Sequence, residues 1–100
     1  MPKINVNIEH SLSQAVALER LKGLLNKLKS EYGNIISDLK ESWDEKGTEF
    51  SFKAMGMSVE GVISVGNNTF NLDGKIPLAA LPFKGKIEKT ILDETNKLLK

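Results

Sequence analysis

The sequence predicts an α+β domain in the order β-α-β-β-β-β-α, a curved antiparallel sheet with two helices on one face. Apolar residues recur with period two near the N-terminus and again through residues 50–76, and with a period near 3.6 from Ser11 and again after Pro82. Turn-forming residues separate the strand-like runs. With 100 residues, 40% apolar and 27% charged, the chain reads as one globular domain spanning 1–100, near the size at which a single core becomes self-sufficient.

The first strand is carried by Ile4, Val6 and Ile8, which project to one side of an extended segment while Lys3, Asn5, Asn7 and Glu9 face water. Ser11 with Gln14 matches a capping box, and Leu12, Ala15, Val16, Leu18, Leu21, Leu25, Leu28 and Tyr32 form an apolar stripe, so a helix is expected over Ser11–Tyr32. Gly33 is expected to end it in the left-handed conformation, while Gly23 inside it implies a well-buried stripe or a close neighbour. Ile35, Leu39 and Trp43 alternate loosely, and Asp44-Glu45-Lys46-Gly47 supplies a hairpin turn. Strand register between Gly33 and Phe50 stays open. Phe50, Phe52 and Ala54 alternate strictly, a corner is expected at Met55-Gly56, and Met57, Val59, Gly61, Ile63 and Val65 point inward with Val62 interrupting the polar side. Gly66-Asn67-Asn68 turns the chain into a last strand, Thr69–Ile76, with Phe70, Leu72, Gly74 and Ile76 inward and Pro77 ending it. Consecutive hairpins make a meander, and the simplest topology sets the first strand beside the last. Helical spacing returns from about Pro82 through Phe83, Ile87, Ile91 and Leu98, with a firm start near Lys86 because Gly85 weakens the first turn.

Chemistry is sparsely signalled. The absence of cysteine removes disulfides, thiolate catalysis and cysteine zinc sites, and His10 is the sole imidazole. No G-x-S-x-G elbow accompanies His10, so it reads as a polar residue at a strand-to-helix junction, and Asp38, Glu41, Asp44 and Glu45 lack calcium-loop spacing. No metal or cofactor is expected. The net charge of +1 gives no bulk attraction to nucleic acid, and no basic run accompanies Phe50, Phe52 and Phe70. Lysines exceed acids in the two helical segments, and acids exceed lysines between 34 and 62, a pattern that ordinary solubility explains. Apolar runs such as Ile76–Phe83 are too short to cross a bilayer and no targeting peptide is visible, so a cytoplasmic protein without a transmembrane segment is expected. Gly61 and Gly74 leave room on the inner face for a closely packed helix, the favoured reading, or for a ligand.

Taken in order, His10-Ser11-Leu12 opening a helix, Ala15, Leu28, Tyr32-Gly33, Trp43, Phe52, Gly61-Val62-Ile63 and Gly85-Lys86-Ile87-Glu88 resemble the polyhydroxyalkanoic acid system family over nearly the whole chain. The resemblance implies a bacterial accessory protein of polyhydroxyalkanoate synthesis and granules with no assigned catalytic residue. It therefore implies binding to the granule surface or to a granule protein rather than an enzyme. The element order is also similar to a shortened helix-grip domain, in which a C-terminal helix crosses a curved sheet and larger relatives hold apolar ligands. On that likeness the alternative is a small carrier of an apolar or acyl ligand, with Trp43, Phe52, Gly61, Phe70, Gly74 and Ile91 the ligand-facing candidates. A weak hydrolase or isomerase using His10 or a carboxylate pair is the remaining possibility, and no pattern fixes an oligomeric state.

Overall fold

In a computed structural model, which describes residues 2–34, 36–54 and 56–100 and not the side chains of Leu28 and Tyr32, the expected element order is observed. Strand β1 (Lys3–Glu9) is followed by helix α1 (Gln14–Tyr32) and strands β2 (Ile36–Asp44), β3 (Gly47–Ala54), β4 (Met57–Gly66) and β5 (Thr69–Lys75). A 3-10 segment (Leu78–Phe83) then leads into helix α2 (Lys84–Leu98). The strands form one open antiparallel sheet in the order β1-β5-β4-β3-β2. The first strand thus lies beside the last, as the meander requires.

Period two decides which face is dry. Ile8, Phe70 and Val65 form one cross-strand row; Val6, Leu72, Ile63, Thr48 and Trp43 form the next; Ile4, Gly74, Gly61, Phe50 and Glu41 form a third. Most of these side chains are buried together with Ala17, Leu18 and Leu21 of α1 and Leu99 after α2. The two helices share this face, α2 chiefly against β1 and α1 against β4. Arg20 of α1 ties them by donating to the carbonyls of Leu98 and Lys100 at 3.0 and 2.7 Å. Along the outer margin of β1 the Asn5 N–H donates to Glu88 Oε2 of α2 at 3.0 Å. The opposite face is polar: Asn71 donates to Asn7, Asn7 to Asn5, and Asn5 to Asp73, a ladder spanning β1 and β5.

Several details differ from the sequence reading. The cap of α1 is Ser13, not Ser11: Ser13 is extended and its hydroxyl accepts from the Val16 N–H. The cause is a corner at His10, whose Nδ1 accepts from the Leu12 N–H at 3.0 Å while Nε2 lies 3.0 Å from the Thr69 carbonyl. That corner holds residues 10–12 outside the helix and delays its start. Gln14 reaches across to donate to the Val65 carbonyl instead of closing a capping box. Leu18 and Leu21 are buried as the stripe requires, but in the first turn Ala15 and Val16 are exposed and Ala17 is fully buried in their place.

Gly33 ends α1 in the right-handed conformation, not the left-handed one. Its glycine requirement is steric, since a Cβ there would sit 2.9 Å from the Lys29 carbonyl oxygen. A Cβ at Gly23 would meet nothing within 4 Å, so no close neighbour explains that glycine. The loose alternation of the second strand comes from a bulge between Ser37 and Lys40, where Asp38 adopts φ 53°. Ile35 and Met55, assigned to that strand and to the corner, lie outside the described residues. Pro82 falls within the 3-10 segment, so α2 begins at Lys84.

The cap makes a direct test. Ser13→Ala is expected to lower stability by about 1 kcal/mol, the usual loss of an N-cap side chain, whereas Ser11→Ala should leave urea denaturation unchanged. Equal effects at the two serines would place the helix start wrongly.

Candidate functional site

The candidate ligand-facing residues do not surround one space. Gly61 and Gly74 are cross-strand partners on β4 and β5, but the room above them is taken. A Cβ at Gly61 would lie 2.7 Å from the Phe50 ring, and one at Gly74 would lie 2.9 Å from the Ile4 side chain. Side chains from neighbouring strands, rather than the closely packed helix favoured from sequence, fill both positions. An aromatic ring laid over a strand glycine covers the backbone that the missing side chain leaves bare. Phe50 in turn stacks on Phe52, with centroids 6.2 Å apart and planes 13° from parallel.

Trp43 sits half-buried on β2 opposite Thr48. Its Nε1 donates to Glu41 Oε1 at 3.2 Å, and Lys22 Nζ lies 5.4 Å from the ring centroid, so polar partners from β2 and α1 hold both edge and face. Lys29 Nζ approaches the other Glu41 oxygen at 3.4 Å. Phe70 is only 2% exposed and Ile91 packs half-buried against the core. Phe70, Trp43, the glycine pair and Phe52 occupy successive rows along the strands. At about 3.3 Å per residue and two residues per row, the outer rows are roughly 20 Å apart. These residues form the interior and its rim.

The polar face of the sheet is a broad open trough of about 910 Å³, lined among others by Glu49, Glu60, Asp73, Lys40 and Lys75. Its charges are mixed and partly matched: Lys75 Nζ lies 3.7 Å from Glu60, and Asp73 accepts from Asn5. Among the described residues no group of His, Asp and Glu side chains is placed to hold a metal ion. Val62, 43% exposed, is an apolar residue in the middle of this face.

The feature that sequence reading missed is outside both regions. Leu78, Leu81 and Phe83 in the 3-10 segment are 72%, 46% and 60% exposed, and Pro82 between the last two is exposed as well. None of the residues of that segment is buried. Immediately after them, Lys84, Lys86 and Lys89 occupy the first turns of α2. The signal available in the sequence was the apolar run Ile76–Phe83 itself, whose ends the spacing assigns to the last strand and, through Phe83, to the buried stripe of the last helix; the structure instead places Phe83 outward in the 3-10 segment. Interrupted by two prolines and showing no sustained alternation, the run fits neither a buried strand nor a buried helix. An irregular segment this apolar and this accessible is a candidate contact surface.

Residues 4–99 match the model of a family described as "Putative polyhydroxyalkanoic acid system protein". The chain belongs to this family. Nearly the whole fold, from the first buried residue of β1 to the last buried residue after α2, is therefore the polyhydroxyalkanoic acid system fold, and the exposed segment lies within the matched region. No curated protein and no solved structure is similar enough to the chain to count as a match. Among the described residues of this family member, no helix is long and apolar enough to cross a membrane.

Proposed function

We propose that this protein is a noncatalytic accessory member of the polyhydroxyalkanoate system that docks on the surface of the polyester granule in the cytoplasm. Membership of the family supplies the setting. The observation that carries the reading is the exposed apolar segment at Leu78, Leu81 and Phe83, which contributes nothing buried to the core. Side chains that leave water only when a partner arrives are what an interfacial protein needs.

A docking role rather than a bond-making one is supported by the structural use already made of the polar groups. His10 engages Leu12 and Thr69 through its two ring nitrogens, Glu41 receives the Trp43 indole N–H, and Asp73 is held by Asn5. The carrier alternative is less favoured because Phe50 and Ile4 occupy the space over the glycines.

Sedimentation with polyester particles is the test. Wild-type protein should pellet with the particles, and Leu78→Ser with Phe83→Ser should reduce the bound fraction at least tenfold, since burying either side chain contributes about 1.5–3 kcal/mol. Wild-type protein left wholly in the supernatant would refute docking on polyester.

A further inference from the structure

We infer that the docking surface is built for an anionic lipid-coated interface, with lysines that select negative headgroups around an apolar wedge. The inference rests on the docking reading and names the chemistry of the surface that is bound. Leu78, Leu81 and Phe83 form the wedge, and Lys84, Lys86 and Lys89 stand beside it at the start of α2.

Two of those lysines, Lys84 and Lys86, sit in the first turn of α2, where helix physics disfavours them. A helix N-terminus carries partial positive charge, so acids are favoured in its first turn and cations are not. The first turn of α2 contains no acid, and its N-cap is Phe83, which makes no side-chain capping hydrogen bond. Lys86 and Lys89, three positions apart and both exposed, add like-charge repulsion on the helix surface. Among the described residues, Lys84, Lys86 and Lys89 take part in no ion pair. Glu88, the acid nearest in sequence to Lys86 and Lys89, accepts from the Asn5 N–H.

The 3-10 segment runs straight into α2 and the Lys84 N–H donates to the Leu81 carbonyl, so the backbone supplies the cap. Breaking the remaining local rules, for dipole and charge spacing, signals a site whose partner supplies what is missing. Negative headgroup oxygens would neutralise the lysines, while Phe83 and the leucines enter the acyl layer beneath. An apolar wedge or a few charges alone binds weakly; together they make the two signals that stable adsorption requires.

The experiment compares polyester particles left bare, coated with phosphatidylcholine, or coated with phosphatidylcholine mixed with phosphatidylglycerol, and adds native granules. Each lysine near an anionic surface is worth about fivefold in partitioning, so wild-type protein should favour the anionic coat over the neutral one by on the order of a hundredfold. Added salt should shrink that ratio. Changing Lys84, Lys86 and Lys89 to Gln should abolish the preference while leaving residual binding to the neutral coat. Leu78→Ser with Phe83→Ser should weaken binding to both coats. All these side chains are at least partly exposed, and unchanged thermal melts would show that the variants fold.

Equal binding of wild-type protein to the two coats overturns the headgroup assignment and leaves docking intact. A preference that survives Lys→Gln also overturns it. Binding to native granules but to no lipid-coated particle overturns it in favour of a granule protein as partner. Binding to none of the surfaces overturns this inference and the docking reading together.

Discussion

Phe70→Ala is expected to remove about 3–5 kcal/mol of folding free energy, the range observed when a buried aromatic is truncated in a core that cannot collapse around the gap. Phe70 is 2% exposed on β5, between its cross-strand partners Ile8 of β1 and Val65 of β4, which are 7% and 3% exposed. Ala17, Leu18 and Leu21 of α1 belong to the same buried cluster, so the gap would open in the core that sheet and helix share. A domain of this size has about 5–15 kcal/mol in total, so a loss of this size removes from about a fifth to all of it. Urea denaturation should show the midpoint falling sharply with little change in slope. A loss below about 1 kcal/mol would mean that the ring does not lie in a dry interior, and the assigned sheet face would be wrong.

Gly47→Ala should be comparably damaging for a different reason. Asp44 Oδ1 accepts from the N–H groups of Lys46 and Gly47 at 2.7 and 3.0 Å, closing the β2–β3 turn, while the Lys46 carbonyl accepts from the Val65 N–H at 2.6 Å. Gly47 enters β3 with φ +153°, and a Cβ there would lie 1.8 Å from the Ile63 carbonyl oxygen and 2.8 Å from its carbon. Both contacts are backbone, so no rotamer change relieves them. Only separation of β3 from β4 would make room. A loss above about 3 kcal/mol is expected, among the larger effects of single substitutions, and a melting temperature lower by roughly 12–24 °C. Gly56→Ala is the control: φ is +78° but nothing lies within 4 Å, so conformational strain acts alone at about 1–3 kcal/mol. A Gly47→Ala protein that melts like the wild type would show that β3 and β4 are not held in this register.

The fold was legible where one physical rule acts locally. Ile4, Val6 and Ile8 alternate because β1 has one dry face, and Phe70, Leu72 and Gly74 alternate in step with them because the two strands pair residue for residue. The helix start was misplaced because a distant contact sets it: His10 bonds to Thr69, some sixty residues away, and a capping pattern carries no record of that. The bulge at Asp38 left only a blurred alternation in the sequence.

The candidate site was harder to read. Trp43, Phe52 and Phe70 are conspicuous as aromatics, and aromatics in a small domain are spent on the interior and its rim. Leu78, Leu81 and Phe83 look like ordinary core residues on paper. Sequence gives polarity without direction in a segment of irregular backbone, so only the structure shows that these point outward.

The two margins of the sheet bear on what happens when many copies gather on one surface. Glu88 engages an outward amide on β1, and the kink at Asp38 interrupts the free side of β2. Neither margin offers the unbroken row of donors and acceptors on which a foreign strand could template itself. Copies crowded side by side would thus lack a continuous edge along which to polymerise into fibrils.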